Sequence, residues 1–177
     1  MRVLVAFASR YGATKGIAEH IGAMLRQQGL ETTVESTDLA GDPASYDAAV
    51  IGSSIYMLHW MKQAANFVRD NSKALADRPV WLFSSGPLGT KTENDQGRDL
   101  CEVTEPKEIA EFKETVAHRE HRVFFGGLDA AKLGFWHKLL YNLPANRDGA
   151  LFPQGDFRNW AAIDAWAGSI ARALKAQ

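Results

Sequence analysis

Val3-Leu4-Val5-Ala6-Phe7-Ala8-Ser9-Arg10-Tyr11-Gly12-Ala13-Thr14 decides how the rest of the chain is read. A nearly continuous apolar run such as residues 3–8 is what a strand buried on both faces of a sheet requires. It delivers hydroxyls, a glycine and bare backbone N–H groups to the mouth of a helix, in which Ile17, Ile21, Met24 and Leu25 share one stripe and Gly29 supplies the stop. Helix N-termini carry unpaired N–H groups and partial positive charge, so this junction suits an anion. It lacks G-x-x-x-x-G-K-S/T, leaving no Lys for the terminal phosphates of a nucleoside triphosphate, and it lacks the G-x-G-x-x-G of dinucleotide sites. Two readings stay open on this segment alone: a hydroxyl-rich cradle for one terminal phosphate, or a plain βα turn that carries Ser and Thr.

Outward from this junction, strand-like and helix-like periods alternate, the pattern of a parallel sheet with crossover helices. Residues 31–36 alternate around Thr32, Thr33 and Val34, and residues 47–53 form a short apolar strand. Helical spacing through Met61, Ala64, Ala65 and Val68 runs to about residue 76, before Pro79 opens the strand 79–84. A long aperiodic stretch follows residue 85. Residues 105–117 then predict an amphipathic helix, residues 122–127 a fifth strand, and Asp156 the N-cap of a last helix striped by Trp160, Ile163, Ala167, Ile170 and Leu174. Right-handed crossovers and short links favour a doubly wound α/β sheet of five parallel strands in the order 2-1-3-4-5.

Composition narrows the function. The 177 residues suit a single domain, 1–177. A net charge of -1, with Lys and Arg scattered, gives no field for nucleic acid. The lone Cys101 excludes an intrachain disulfide and has no Cys or His at ligand spacing, so no metal site is expected. Met1-Arg2 runs directly into a strand, and no apolar run reaches the ~18 residues of a membrane span. The expected location is cytoplasmic.

In the 2-1-3-4-5 order the switch point lies between strands 1 and 3, and ligands bind outside the carboxyl ends of these strands. Three loops converge there: residues 9–14, residues 53–60 and residues 84–90. Tyr56, His59 and Trp60 supply faces for a ring, or else anchor the loop in the sheet edge. Ser84, Ser85, Gly86, Pro87, Leu88 and Gly89 offer backbone groups unobstructed by large side chains, as plain Gly-Pro turns also do. The set suits a planar, phosphorylated ligand.

These residues carry a resemblance. The Ser9-Arg10-Tyr11-Gly12-Ala13-Thr14 turn, the Ser54-Ile55-Tyr56-Met57-Leu58-His59-Trp60 loop and the length look like the flavodoxin-like proteins, and within them the menaquinone-dependent protoporphyrinogen dehydrogenase family of heme biosynthesis. The spacing Ser-Ile-x-x-x-His-Trp is its most specific piece. The resemblance implies a flavodoxin-like fold with noncovalent FMN as cofactor. Its phosphate would lie on Ser9, Arg10, Gly12, Ala13 and Thr14, with Tyr11 also among the cofactor-binding residues. Its ring would lie between a loop that includes Ser54, Ile55, Tyr56, His59 and Trp60 and one that runs from Ser84 to Gly89. FMN would accept two electrons as hydride and pass them to a quinone or another small redox substrate.

Residues 128–155 exceed the usual strand-to-helix link and read as a helical insert. Within 133–143, Phe135, Leu139 and Leu143 fall on one line, widened by Trp136, Leu140 and Tyr141. The stretch reads as a lid over the ring, as an interfacial helix giving peripheral contact with the inner face of the membrane, or as a helix packed on the domain or on a second copy in a homo-oligomer. His59 is the candidate catalytic residue, a donor to the ring edge or to a substrate carbonyl, or else a turn cap. His20, His118 and His121 are expected to be solvated. Glu93, Asp95, Asp99, Glu102, Glu105 and Glu108 make the long loop acidic, as a docking face for a charged redox partner or as plain solvated surface. An FMN oxidoreductase is the leading reading. A one-electron flavodoxin-type carrier fits less well with a charge of -1, and a cofactor-free scaffold stands as the alternative outside enzymes. A receiver domain would need paired acids where Ala8-Ser9 stands.

Overall fold

The computed structural model describes residues 1–129, 131 and 153–176. The chain runs β1 (Arg2–Ala8), α1 (Ala13–Gln27), β2 (Glu31–Ser36), a 3-10 turn (Pro43–Ser45), β3 (Ala48–Tyr56), β4 (His59–Trp60), α2 (Lys62–Asp70), α3 (Ser72–Ala76) and β5 (Val80–Ser85). It continues through α4 (Leu100–Val103), α5 (Glu108–Thr115), β6 (Glu120–Phe124), β7 (Gly127–Leu128), β8 (Gly155–Asp156) and α6 (Trp160–Lys175). The main sheet has the order β2-β1-β3-β5-β6, with all four neighbouring pairs parallel. With the short return strand β4 set aside, this is the 2-1-3-4-5 order expected.

β1 is central, and successive strand residues face opposite sides of a sheet. Val3, Val5 and Phe7 therefore join Ile17, Ile21 and Leu25 of α1 and Ile163, Trp166 and Ile170 of α6 in one core. Leu4, Ala6 and Ala8 join Ala64, Val68, Leu75, Ile109 and Phe112 in the other. In mid-sheet Gly52 of β3 pairs with Phe83 of β5. A Cβ at Gly52 would come within 2.0 Å of the Phe83 ring, so the glycine leaves the space that the ring fills.

Several boundaries differ from the sequence expectation, each for a local reason. β3 runs on to Tyr56 and returns as β4. The helix expected over 61–76 breaks at Asn71, whose side-chain amide donates to the Phe67 carbonyl at 2.8 Å. The fifth strand of the sheet ends at Phe124 rather than Gly127, because Gly126 turns to donate its N–H to the Pro87 carbonyl. Asn159, not Asp156, caps α6, its side chain accepting from the Ala162 N–H at 3.0 Å. Asp156 instead lies in β8 and holds Arg158. The aperiodic stretch contains α4, capped by Asp99. The insert helix expected at 133–143 lies outside the described residues. Among those described, no helix is long and apolar enough to cross a membrane.

Candidate functional site

Gly12 takes φ 93° and forms the N-cap of α1. Among the described residues nothing lies within 4 Å of the position its Cβ would occupy, so it is the positive φ that calls for glycine. Among the described residues no side chain caps α1, and its first turn holds no acid, so the leading N–H groups and their partial positive charge suit an added anion. Ser9 Oγ accepts the Gly12 N–H at 3.1 Å, so its own proton stays available to an acceptor at the loop. Thr14 is fully buried, and its hydroxyl meets Ser54 Oγ at 2.8 Å, tying the first loop to the second. Two hydroxyls share that one link, so one of their protons is likewise free for a further partner. Arg10 stands between two rings, 5.9 Å from the Tyr11 centroid and 5.8 Å from that of Tyr56. This is a cradle suited to an anion.

The second loop is a hairpin. Tyr56 pairs with His59, and the two residues between them, Met57 and Leu58, take φ 50° and 63°. Two-residue hairpin turns need positive φ at both centres and favour Asn and Gly there, so this turn carries strain of about 1–2 kcal/mol per residue. Its clamps are specific. Lys107 donates its backbone N–H to the Leu58 carbonyl. Glu108 takes His59 Nδ1 on one carboxylate oxygen at 2.8 Å and the Trp60 N–H on the other at 3.1 Å. Burial works to raise the Glu108 carboxyl, and these bonds outweigh it, so the group sits below the usual carboxylate range. Ser53 Oγ accepts the Met61 N–H at 3.0 Å and fixes the start of α2. The tip stays open, with Met57 93% exposed and Tyr56 at 36%. Burial and the neighbouring Tyr11 push the Tyr56 phenol up to about 12 against the opposing pull of Arg10.

The three rings expected to stack therefore separate. Tyr56 is open beside Arg10, and His59 is exposed but engaged by Glu108. Trp60 is 3% exposed, packed on Phe112 at 5.3 Å, and offers no open face. The third loop lies against the second, since a Cβ on Gly86 would come within 2.5 Å of Ile55 Cδ1. Its backbone is held by Gly86 donating to the Phe124 carbonyl and by Pro87 accepting from Gly126. Ser84 and Ser85 are buried, while Gly86, Pro87, Leu88 and Gly89 are partly exposed along the crevice.

Of the three histidines expected in solvent, His20 keeps 35% of its side chain exposed, while His118 is partly enclosed and His121 more so. His20 bonds Asp164 and tilts on Trp160. His118 is half-buried, and burial holds it below the ordinary imidazole value. His121 is almost wholly enclosed and bonded to Ser84 and Glu105. The acidic loop has structural work too, with Asp99 capping α4, Glu105 on His121 and Glu108 on the hairpin. Sequence reasoning missed Arg158, whose guanidinium bonds Asp156, reaches the Ala13 carbonyl and lies against Gly16 in the first turn of α1. Its position follows from the β7–β8 pairing, which no local pattern announces.

Cys101 is half-buried beside Asp99. Burial, with the Asp99 charge adding to it, pushes its thiol up to about 11. Alkylation by iodoacetamide near neutral pH is therefore expected to run ~10²-fold slower than for a free cysteine. Timed mass spectrometry checks this, and the rate of an ordinary thiol would contradict the enclosure.

The crevice combines an anion cradle, an open aromatic ring and a wall of backbone groups at the carboxyl ends of β1, β3 and β5. Compared with known proteins, a family profile described as flavodoxin domain matches residues 4–150. Protoporphyrinogen IX dehydrogenase (quinone) of Escherichia coli strain K12 is 28% identical over 95 residues, 52% of this chain and 52% of that protein. The match thus spans about half the length of the curated relatives. Among solved structures, a flavodoxin from the domain Archaea superposes with a TM-score of 0.62 at 16% identity, covering 99% of both chains. Oxidised flavodoxin 2 from Bacillus cereus gives 0.58 at 19% identity, again over 99% of each. Likeness at such identities speaks for the fold.

Proposed function

Because this chain belongs to the flavodoxin domain family, we propose that it holds FMN noncovalently at the mouth of α1 and serves as an oxidoreductase that passes electrons to a quinone. The observation that carries the reading is the uncapped N-terminus of α1 behind left-handed Gly12, with the Ser9 hydroxyl turned to donate. Ser9 and the leading amides of α1 would hold the phosphate, and Arg10 would add positive charge at its edge. Tyr56 and the backbone of residues 85–89 would flank the ring. When bound, FMN supplies reversible two-electron chemistry, and the protein supplies position and polarity.

The acceptor class is supported by two observations. Met57, Leu58 and Tyr56 form an exposed apolar tip beside the crevice, suited to a lipid-soluble quinone. The curated relative, by its name, is a quinone-linked dehydrogenase acting on a porphyrinogen, which makes that donor class the first to try.

The test is a visible spectrum of the purified protein with and without added FMN, followed by anaerobic reduction. Quenching of flavin fluorescence at micromolar FMN, then fast reoxidation by a menaquinone analogue, is the expected result. Absence of quenching removes the flavin reading. Reoxidation by one-electron acceptors only would make the protein a carrier.

A further inference from the structure

His121 is an enclosed ionisable group beside the third loop, with 4% of its side chain exposed. It is the third member of a chain of hydrogen bonds: Trp60 Nε1 to Ser84 Oγ at 2.8 Å, Ser84 Oγ to His121 Nε2 at 2.8 Å, and His121 Nδ1 to Glu105 Oε1 at 3.0 Å. The direction of the chain follows from its donors. An indole N–H only donates, so Ser84 Oγ accepts from Trp60. The one proton of Ser84 then goes to a bare His121 Nε2, the arrangement in which the enclosed serine proton has an acceptor. The ring proton consequently sits on Nδ1 and goes to the Glu105 carboxylate. Each link then has one donor and one acceptor, and His121 is neutral.

The connectivity of Ser84, His121 and Glu105 matches that of a nucleophilic triad, but the environment does not. Ser84 is 0% exposed and its oxygen is occupied by the Trp60 indole, so no substrate carbonyl reaches it. What the chain holds is Trp60, which pairs with Ile55 and closes the hairpin of residues 55–60 against the sheet. We infer that His121 is the positioning residue of this hairpin, keeping the ring-binding wall assembled while neutral and loosening it when protonated. This rests on the reading that the hairpin walls FMN. A second ring proton, on Nε2, would have to donate to Ser84 Oγ, leaving the serine proton to find another acceptor in a fully enclosed place.

Burial holds the His121 imidazole below its ordinary value, and nearby His118 acts in the same direction. Glu105, from the segment before α5, and Glu120, from β6 itself, oppose this. The Glu120 charge is shared with Arg122 and with the Trp166 indole of α6, and that of Glu105 is 57% exposed. The sign follows. A histidine whose folded pKa is depressed supports the folded arrangement fully above the unfolded value near 6.5, and that support is lost as pH falls below it.

The experiment follows the Trp60 indole N–H of the full chain by nitrogen–proton NMR, alongside the Kd for FMN, over a pH range from about 8 to about 5. Acidification below about 6.5 is expected to speed solvent exchange of the Trp60 indole and to raise the Kd, up to about tenfold for each pH unit. His121→Gln, which accepts from Ser84 and donates to Glu105 without titrating, should keep the indole protected and flatten both curves. Ser84→Ala should expose the indole to exchange at every pH, and serves in case His121→Gln does not fold. His118→Gln should leave the wild-type curves in place. Equal pH dependence in His121→Gln, or its disappearance in His118→Gln, overturns the inference. If FMN does not bind even at about pH 8, the flavin reading fails by itself, and the indole measurement still decides the role of His121.

Discussion

Ser9→Asp is expected to raise the Kd for FMN by about 1,000-fold while leaving the fold as stable as before or slightly more so. The serine oxygen already accepts the Gly12 N–H at 3.1 Å, and a carboxylate can do the same. An acid at the N-terminal end of α1, whose first turn has none, gains about 0.3–1 kcal/mol from the helix dipole. Toward a phosphate the sign reverses. Two like charges about 5 Å apart at an effective dielectric constant near 20 repel by about 3 kcal/mol, and a donated hydrogen bond worth about 1.5–3 kcal/mol is also lost. At 1.4 kcal/mol per tenfold, the sum is about three orders of magnitude or more. Fluorescence quenching gives the Kd and a thermal melt gives the stability. Weaker binding together with a lower melting temperature would mean that the loop was merely damaged, and unchanged binding would mean that the anion lies elsewhere.

The second large effect is on stability. Phe83→Ala should cost about 3–5 kcal/mol, since the ring is fully buried, lies edge-on to Trp166 at 6.2 Å and fills the space above Gly52. Against a usual total of about 5–15 kcal/mol, this removes from about a fifth of the margin to all of it. Gly52→Ala alone should also destabilise, by about 1–3 kcal/mol, because its methyl would overlap the ring. The informative quantity is their coupling. With Phe83 truncated, the Gly52→Ala methyl enters vacated space, so the double variant should be more stable than the sum of the two losses predicts. Denaturant melts of the four proteins measure this, and strict additivity would show that the two residues do not share the space.

What was legible in the sequence is what periodicity encodes. The apolar run of β1, the stripe Ile17, Ile21, Leu25 and the alternation of strands and helices fixed a doubly wound order, and the order fixed which three loops meet. What was not legible depends on partners far apart in the chain. Met57-Leu58 carries none of the Asn-Gly chemistry that announces a two-residue turn, so β4 was invisible and Trp60 read as a loop residue. His121 stands in a charged stretch, and only its place beside Ser84 on β5 reveals an enclosed group. Glu105 and Glu108 look like solvated charge until His121 and His59 are found opposite them. Asp156 and Asn159 are equally good caps by residue type, and the pairing of β7 with β8 decides between them.

That pairing has a wider meaning. Gly127 faces Asp156 and Leu128 faces Gly155, so two segments far apart in the chain stand side by side on one antiparallel ladder. Opposed residues in such a ladder stand about 4.5–5.5 Å apart, a gap that a short turn can also close. The entropy of closing a link between them grows only logarithmically with its length, so the ladder can hold the two ends of a short or a long link alike. The same ladder sets Arg158 beside the first turn of α1, so the place where the two segments meet also borders the cradle.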